Sequence, residues 1–204
     1  MTNVILTNDF VTDKKIKEMS SKTFNVLTYL WLTERDNVCT TSIGLMKEFF
    51  KTEKRIIIYH LTKLMELNYI AINMNIKKCF VHKIININIK DIEINKGYRI
   101  ISGNIFFDYY NIIGHHGWSL LCTLSLLYNT KYKYAFPSRE QLCDIIGISA
   151  STIAKATDLL ANNELIKIDN KNNNVIRYNN KFYSKNYRYL ISNKVLDKKL
   201  MTKK

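Results

Sequence analysis

Residues 136–153 read FPSREQLCDIIGISASTI, and this sequence predicts two short helices joined by a tight turn. Ser138 is a good helix N-cap, and Gln141 three residues later completes a capping box. Gly147 is able to take the left-handed conformation that ends a helix, and Ser149 then caps the next helix. The pattern therefore predicts helices over 138–146 and 149–162.

The second of these helices has two distinct faces. Ile153 and Leu160 are spaced to point inward, with two smaller residues, Ala156 and Thr157, filling the space between them. Small, polar and basic residues remain on the outer face near the helix start, and such residues suit a helix whose N-terminal end enters a major groove. They are Ser149, Ala150, Ser151, Thr152 and Lys155.

The stretch 137–166 resembles the winged helix-turn-helix domains of bacterial transcription regulators and of phage and plasmid replication proteins. The residues that match the usual pattern are Pro137, Ser138, Leu142, Gly147, Ser149, Thr152, Ile153, Leu160, Leu165 and Ile166. Cys143 departs from it, standing where the family has a small alanine. The resemblance implies binding to double-stranded DNA, and a helical hairpin used for protein contacts is the alternative.

The chain also repeats itself. Leu64 matches Leu160 and Ile70 matches Ile166, both at an offset of 96 positions (160 − 64). Toward the N-terminus the predicted offset becomes 97, which pairs Phe24 with Leu121 and Phe10 with Phe107. One order of elements covers most of both halves, which is typical of a tandem repeat.

Each copy is predicted to hold a short strand, three helices and a β-hairpin. In the first copy these cover 3–6, 21–33, 41–50, 53–67 and 69–89; in the second, 98–101, 118–128, 138–146, 149–162 and 165–178. The predicted fold is mainly α with β-hairpin wings, an α+β class built from two tandem winged helix-turn-helix domains. We expect domains over 1–92 and 93–192, then a basic C-terminal tail over 193–204.

The first copy diverges at its turn and is more basic on its third helix. Lys51 stands where the second copy has Gly147, which predicts a turn of different shape. The predicted outer face of the third helix carries phosphate-binding and base-reading residues: Lys54, Arg55, Tyr59, His60 and Lys63. Arg55 is the candidate for guanine contact, because its guanidinium can donate two parallel hydrogen bonds to the two major-groove acceptors of guanine.

The hairpins supply further candidates. Their turns are predicted at Asn75–Lys78 and at Asn170–Asn174, since asparagine tolerates positive φ. Basic residues there would contact phosphates or the minor groove, although lysines at hairpin tips also simply keep edges soluble. These residues are Lys77, Lys78, Lys171 and Arg177, and Ser138 and Arg139 complete the predicted DNA-binding set. The aromatic and basic segment 181–191 is expected either to add a strand to the second domain or to pack between the domains.

Composition points to the same class of partner. The 204 residues include 31 Lys and Arg against 17 Asp and Glu, so the net charge of +14 favours a polyanion. No apolar run reaches the roughly 20 residues that span a bilayer, and no secretion signal is visible. Four scattered cysteines suit a reducing cytoplasm. A cytoplasmic location is therefore expected.

Catalytic and cofactor motifs are not apparent in the sequence. Cys79 and His82 have the spacing of half a zinc site, but no second pair completes it. A nicking endonuclease needs two metal-binding histidines separated by an apolar residue, together with a tyrosine nucleophile, whereas His115 and His116 are adjacent. No phosphate-binding glycine loop is present in the sequence either. The sequence thus predicts no enzyme and no cofactor.

With two similar units on one chain, the protein would bind DNA either as a monomer with pseudo-two-fold symmetry or as a homodimer. Tandem winged-helix architecture resembles that of plasmid replication initiators. The first hypothesis is therefore replication initiation by a sequence-specific DNA-binding protein of a plasmid, phage or integrative element. The alternatives are a transcriptional regulator with the same DNA chemistry and a non-DNA scaffold. Replication or transcription machinery would be a further partner.

Overall fold

The structure is a computed structural model that describes residues 3–91, 97–169, 177–178, 181–182 and 187–196, the two short ranges by their backbone only. Helices make up 53% of it and its sheets are small and antiparallel, so the predicted α+β class is confirmed. Among the described residues, no helix combines the length and the apolar character needed to cross a membrane.

The first half of the chain holds five helices and four strands in its described residues. Its elements are β1 (Asn3–Thr7), α1 (Asp9–Thr12), α2 (Lys15–Met19), α3 (Ser21–Thr33), β2 (Val38–Ser42), α4 (Ile43–Phe50), α5 (Lys54–Glu66), β3 (Ile70–Ala71), a 3-10 turn (Ile76–Lys78) and β4 (Ile84–Ile89). The last three strands form one sheet in the order β2-β4-β3. Helices α3, α4 and α5 lie where the sequence predicts helices, whereas α1, α2 and β2 were not predicted.

The second half likewise places a strand first, then helices, then strands, but its described elements include no strand between the first two helices. Its elements are β5 (Tyr98–Ser102), α6 (Gly103–Leu126), α7 (Arg139–Ile146), α8 (Ala150–Asn162), β6 (Ile166–Asp169), β7 (Arg177–Tyr178), β8 (Lys181–Phe182) and β9 (Arg188–Ile191). Helix α6 starts well before the predicted residue 118, and it is broken at Gly114, where φ is 67°. Glycine tolerates this conformation because it has no Cβ.

The strand that follows the helix pair is antiparallel to a later strand in both halves. Ile70 of β3 pairs with Ile89 of β4, and Ile166 of β6 pairs with Ile191 of β9. The partner strand of β6 is therefore β9, not the predicted continuation to residue 178. The segment 181–191 thus contributes a strand to the second half, which was one of the two expected roles. The predicted turn at 170–174 lies outside the described residues.

Strands β1 and β5 join the two halves in a short antiparallel sheet with Ile5 opposite Ile100. The two strands begin 95 positions apart (98 − 3), whereas the predicted offset in this region is 97. Phe10 is fully buried, whereas Phe107, its predicted counterpart, is 39% exposed. The predicted match of Phe10 with Phe107 therefore joins one core residue to one that is partly in solvent, as happens easily by chance in a chain this hydrophobic.

Helices α3 and α6 pack across the same boundary. The indole Nε1 of Trp118 donates to Thr28 Oγ1 at 3.2 Å, and Asn25 Nδ2 donates to the carbonyl oxygen of His115 at 3.2 Å. Farther along, the Phe49 ring packs against the rings of Phe106 and Tyr110 at centroid distances of 5.4 and 5.5 Å. One continuous apolar core therefore runs through both halves.

The segment beyond β9 begins as part of this core. Val195 and Leu196 are buried, and the Ser102 backbone nitrogen donates to the Val195 carbonyl at 3.1 Å. The predicted tail over 193–204 is therefore corrected at its start, because two apolar residues within it pack against β5. Residues 197–204 lie outside the described part of the chain.

Candidate nucleic-acid interface

Helices α4 and α5 are joined by a tight turn at Lys51. Ser42 Oγ accepts a hydrogen bond from the Leu45 backbone nitrogen and so caps α4. Lys51 then adopts the left-handed conformation, with φ 48° and ψ 50°, although it is not glycine. Gly147 in the second half is left-handed too, but the two turns close differently. The Lys51 backbone nitrogen donates to the Glu48 carbonyl oxygen, whereas that of Gly147 donates to the Cys143 carbonyl oxygen, in line with the expected difference in shape. At Lys51 the cost is backbone strain of about 1 kcal/mol.

Helices α7 and α8 have the predicted caps. The Ser138 backbone nitrogen donates to Gln141 Oε1 at 2.8 Å, and the Gln141 backbone nitrogen donates to Ser138 Oγ at 3.1 Å. Gly147 is left-handed with φ 78°, and Ser149 caps α8 by accepting from the Thr152 backbone nitrogen. The capping box, the glycine turn and the second cap are all confirmed. The Ser138 oxygen is engaged in this cap.

Helix α5 buries one stripe and exposes the other. Ile57, Leu61 and Leu64 lie in the core, whereas Arg55 is 80% and Tyr59 61% exposed. The exposed stripe thus presents an arginine and an aromatic ring along the helix. Lys63 is half-buried on the same helix.

His60 does not belong to this exposed stripe. It is three residues from Ile57 and four from Leu64, which places it on the buried face, and its Nδ1 lies 2.9 Å from Thr23 Oγ1. Burial lowers its pKa to about 4, so the ring is neutral near pH 7. The predicted DNA contact by His60 is therefore wrong.

The two basic residues at the start of α5 have different partners. Lys54 Nζ donates to the Cys79 carbonyl oxygen at 2.7 Å, which ties α5 to the loop between β3 and β4. Arg55 Nε lies 2.7 Å from Glu53 Oε2, and both side chains are largely in solvent. Exposed ion pairs contribute little, about 0–1 kcal/mol, so Arg55 is easily released to another anion.

Helix α8 repeats the two-faced pattern. Ile153, Ala156, Thr157 and Leu160 are buried, as predicted, while Ser151 and Lys155 are exposed. Ser149 Oγ lies 3.0 Å from Ser151 Oγ and 2.9 Å from Thr152 Oγ1, so three hydroxyl groups cluster at the helix start. The N-terminal end of α8 therefore offers hydroxyl groups and one lysine to solvent.

Arg139 at the start of α7 stacks on an aromatic ring. Its guanidinium carbon lies 5.6 Å from the Tyr187 ring centroid, just before β9. The guanidinium is held against the Tyr187 ring, and such stacking leaves its edge free to donate.

The loop over 72–83 carries the predicted DNA-binding lysines that lie between β3 and β4. Lys77 and Lys78 are exposed, and the chain turns where the sequence predicts it, in a 3-10 turn in which Ile76 is buried. The corresponding candidates of the second half, Lys171 and the side chain of Arg177, lie outside the described residues.

Two lysines near the second helix pair were not expected from the sequence. Lys14 Nζ lies 2.6 Å from Asp144 Oδ2, and Lys17 Nζ lies 3.2 Å from Asp144 Oδ1. Hydrogen bonds from both lysines lower the pKa of Asp144. Lys17 also packs against Gly147, so α2 of the first half lies on the turn of the second. No local sequence signal links residues 127 positions apart.

No family model, no curated protein and no solved structure matches the chain. A function is therefore inferred from the arrangement of the chain's own residues.

Proposed function

We propose that this protein binds double-stranded DNA through two winged helix-turn-helix units, with α5 and α8 as the recognition helices. The observation that carries the proposal is the two-faced character of both helices. Each buries an apolar stripe and presents polar or basic side chains near its N-terminal end, Arg55 and Tyr59 on α5 and Ser151 and Lys155 on α8. Recognition helices contact base edges with this part of the helix.

The order of elements supports the same proposal. In each half a helix precedes a helix pair joined by a left-handed turn, and antiparallel strands follow it. The loop over 72–83 is the wing of the first unit, and its exposed Lys77 and Lys78 lie where phosphates would neutralise them. The net charge of +14 adds long-range attraction to a polyanion.

One molecule would contact two half-sites. The symmetric pairing of β1 with β5 and the shared core fix the two units relative to each other. Half-sites one helical turn apart are separated by about 34 Å, so a monomer with pseudo-two-fold symmetry would read both. We further propose that the protein acts in replication initiation on a bacterial mobile element, with transcriptional regulation as the alternative.

Selection of bound sequences from a random duplex pool tests the proposal. Arg55→Ala and Lys155→Ala should each change base preference, while Lys171→Ala should weaken binding to all sequences alike. Lys131→Ala, in the turn after α6, is the matched control and should leave binding unchanged. Affinity should also fall steeply with salt, by roughly a thousandfold between about 50 and 200 mM.

Two outcomes would count against it. If Arg55→Ala and Lys155→Ala select the same sequences as the parent, these helices do not read bases. If affinity for mixed-sequence duplex barely changes with salt, phosphate contacts are not involved and a protein scaffold becomes the better interpretation. Footprints at repeated origin sites favour replication initiation, whereas a footprint over a promoter favours regulation.

A further inference from the structure

Phe80 has an unusual position in the wing loop over 72–83. Its side chain is 81% exposed, although it is a large apolar ring. Single exposed apolar residues are common on protein surfaces, so exposure alone would carry no argument. What distinguishes Phe80 is how its backbone is held and which charges surround it.

The residues on both sides of Phe80 are tied to the helix pair α4–α5. The Cys79 carbonyl oxygen accepts from Lys54 Nζ at 2.7 Å, and the Val81 carbonyl oxygen accepts from the Gly44 backbone nitrogen at 2.8 Å. A Cβ at Gly44 would lie 3.2 Å from that Val81 oxygen, so the loop lies close against the start of α4. The Phe80 ring is therefore presented from a fixed point beside the start of α5.

The charges of the loop that carries this ring favour a polyanion. The loop contains Lys77, Lys78 and Lys83, all exposed, and no acidic residue occurs between positions 72 and 83. Lys54 lies on the helix side of the loop. An aromatic ring among lysines is the combination that nucleic-acid surfaces use to stack on bases while neutralising phosphates.

We propose that Phe80 inserts at a base step of bound duplex, next to the groove that α5 occupies, and partly unstacks it. This inference rests on the proposed DNA-binding function. Apolar side chains placed between base steps from the minor-groove side kink the duplex, and the bent duplex then meets more of the protein surface, which offsets the cost of unstacking. The backbone on both sides of the ring is held at Cys79 and Val81, so little backbone freedom is lost on insertion, which suits this role.

The test uses the full chain and a duplex recovered from the random-pool selection, with a fluorescent adenine analogue placed at successive adenines. Binding of the parent should raise the emission at one base step only. Phe80→Ala should abolish this rise and weaken affinity roughly tenfold. Phe80→Leu retains an apolar wedge and should retain part of the signal. Tyr132→Ala, an exposed aromatic residue in the turn after α6, is the control and should behave like the parent.

The outcomes separate this inference from the function on which it rests. If the parent binds no duplex, both fail. If the parent binds with a base preference that Arg55→Ala alters, but Phe80→Ala leaves emission and affinity unchanged, only the role of Phe80 is overturned. A Phe80→Ala variant that binds DNA like the parent but sediments as a smaller species would show that the ring serves a contact between protein chains, which also overturns the inference.

Discussion

The indole nitrogen of Trp118 donates to the hydroxyl oxygen of Thr28 at 3.2 Å, and both side chains are fully buried. The two residues belong to α6 and α3, so this hydrogen bond crosses the boundary between the halves. Trp118 also packs against Phe106, at a ring distance of 4.9 Å. Because of this contact, the stability of each half depends on the other half.

Thr28→Val should therefore destabilise the whole chain. The substitution keeps the side-chain shape but leaves the buried indole N–H without an acceptor, which costs about 1–3 kcal/mol. Thermal unfolding monitored by circular dichroism should show one transition. The melting temperature of the variant should fall by roughly 2–4 °C for each kcal/mol of lost stability. Thr28→Ser, which keeps the hydroxyl, is the control. Two separate transitions in the parent would contradict the continuous core.

Stability should fall as the solution is acidified from pH 6.5. Burial lowers the pKa of His60 and of His115 from 6.5 to about 4, and the neighbouring Lys22 and His116 act in the same direction on His115. Between these values the unfolded chain binds protons that the folded chain excludes, so the free energy of unfolding decreases as pH falls.

The variants His60→Asn and His82→Asn separate this effect from general acid unfolding. His60→Asn keeps a polar partner for Thr23 and removes one buried titrating ring, so the fall in melting temperature from pH 6.5 to pH 4.5 should become shallower. His82 is exposed, and His82→Asn should leave the slope as in the parent. Equal slopes in all three proteins would show that protonation of His60 is not linked to folding.

The two turns should respond in opposite ways to substitution. Gly147→Ala places a Cβ 2.7 Å from Lys17 Cγ on a residue with positive φ. It should lower the free energy of unfolding by more than about 1 kcal/mol, the usual size of left-handed backbone strain. Lys51→Gly relieves strain at φ 48° and should stabilise by about 0.5–1 kcal/mol. Chemical denaturation measures both. A stabilising Gly147→Ala would mean that the turn has another conformation.

Asp144→Asn should strengthen DNA binding, provided that the proposed function holds. The carboxylate pairs with Lys14 and Lys17 beside the turn that precedes α8. Without it both ammonium groups are available to phosphates, so the dependence of affinity on salt should steepen. Stability should change little, because these pairs are exposed. Glu164→Gln, which removes an exposed acid after α8, is the control. An unchanged salt dependence would place the two lysines away from DNA.

Local sequence signals predicted the helix pairs well. The capping residues Ser138 and Ser149, the glycine turn and the buried stripe of α8 all follow from interactions within about one helical turn. His60 shows the limit of such signals. A histidine is compatible with either face of a helix, and only helical spacing relative to Ile57 and Leu64 would have assigned it to the core.

The sequence by itself determined the two helix pairs, the caps of the second pair and the excess of positive charge, because these depend on neighbours along the chain or on composition alone. Tertiary structure alone decided that β1 pairs with β5, that β6 pairs with β9, that α2 lies on the turn at Gly147, and that Phe80 stands in solvent between two tethered residues. The physical reason is that strand partners and contacts between halves join residues far apart in the chain. Which of the many similar apolar segments meet is set by how the whole core packs.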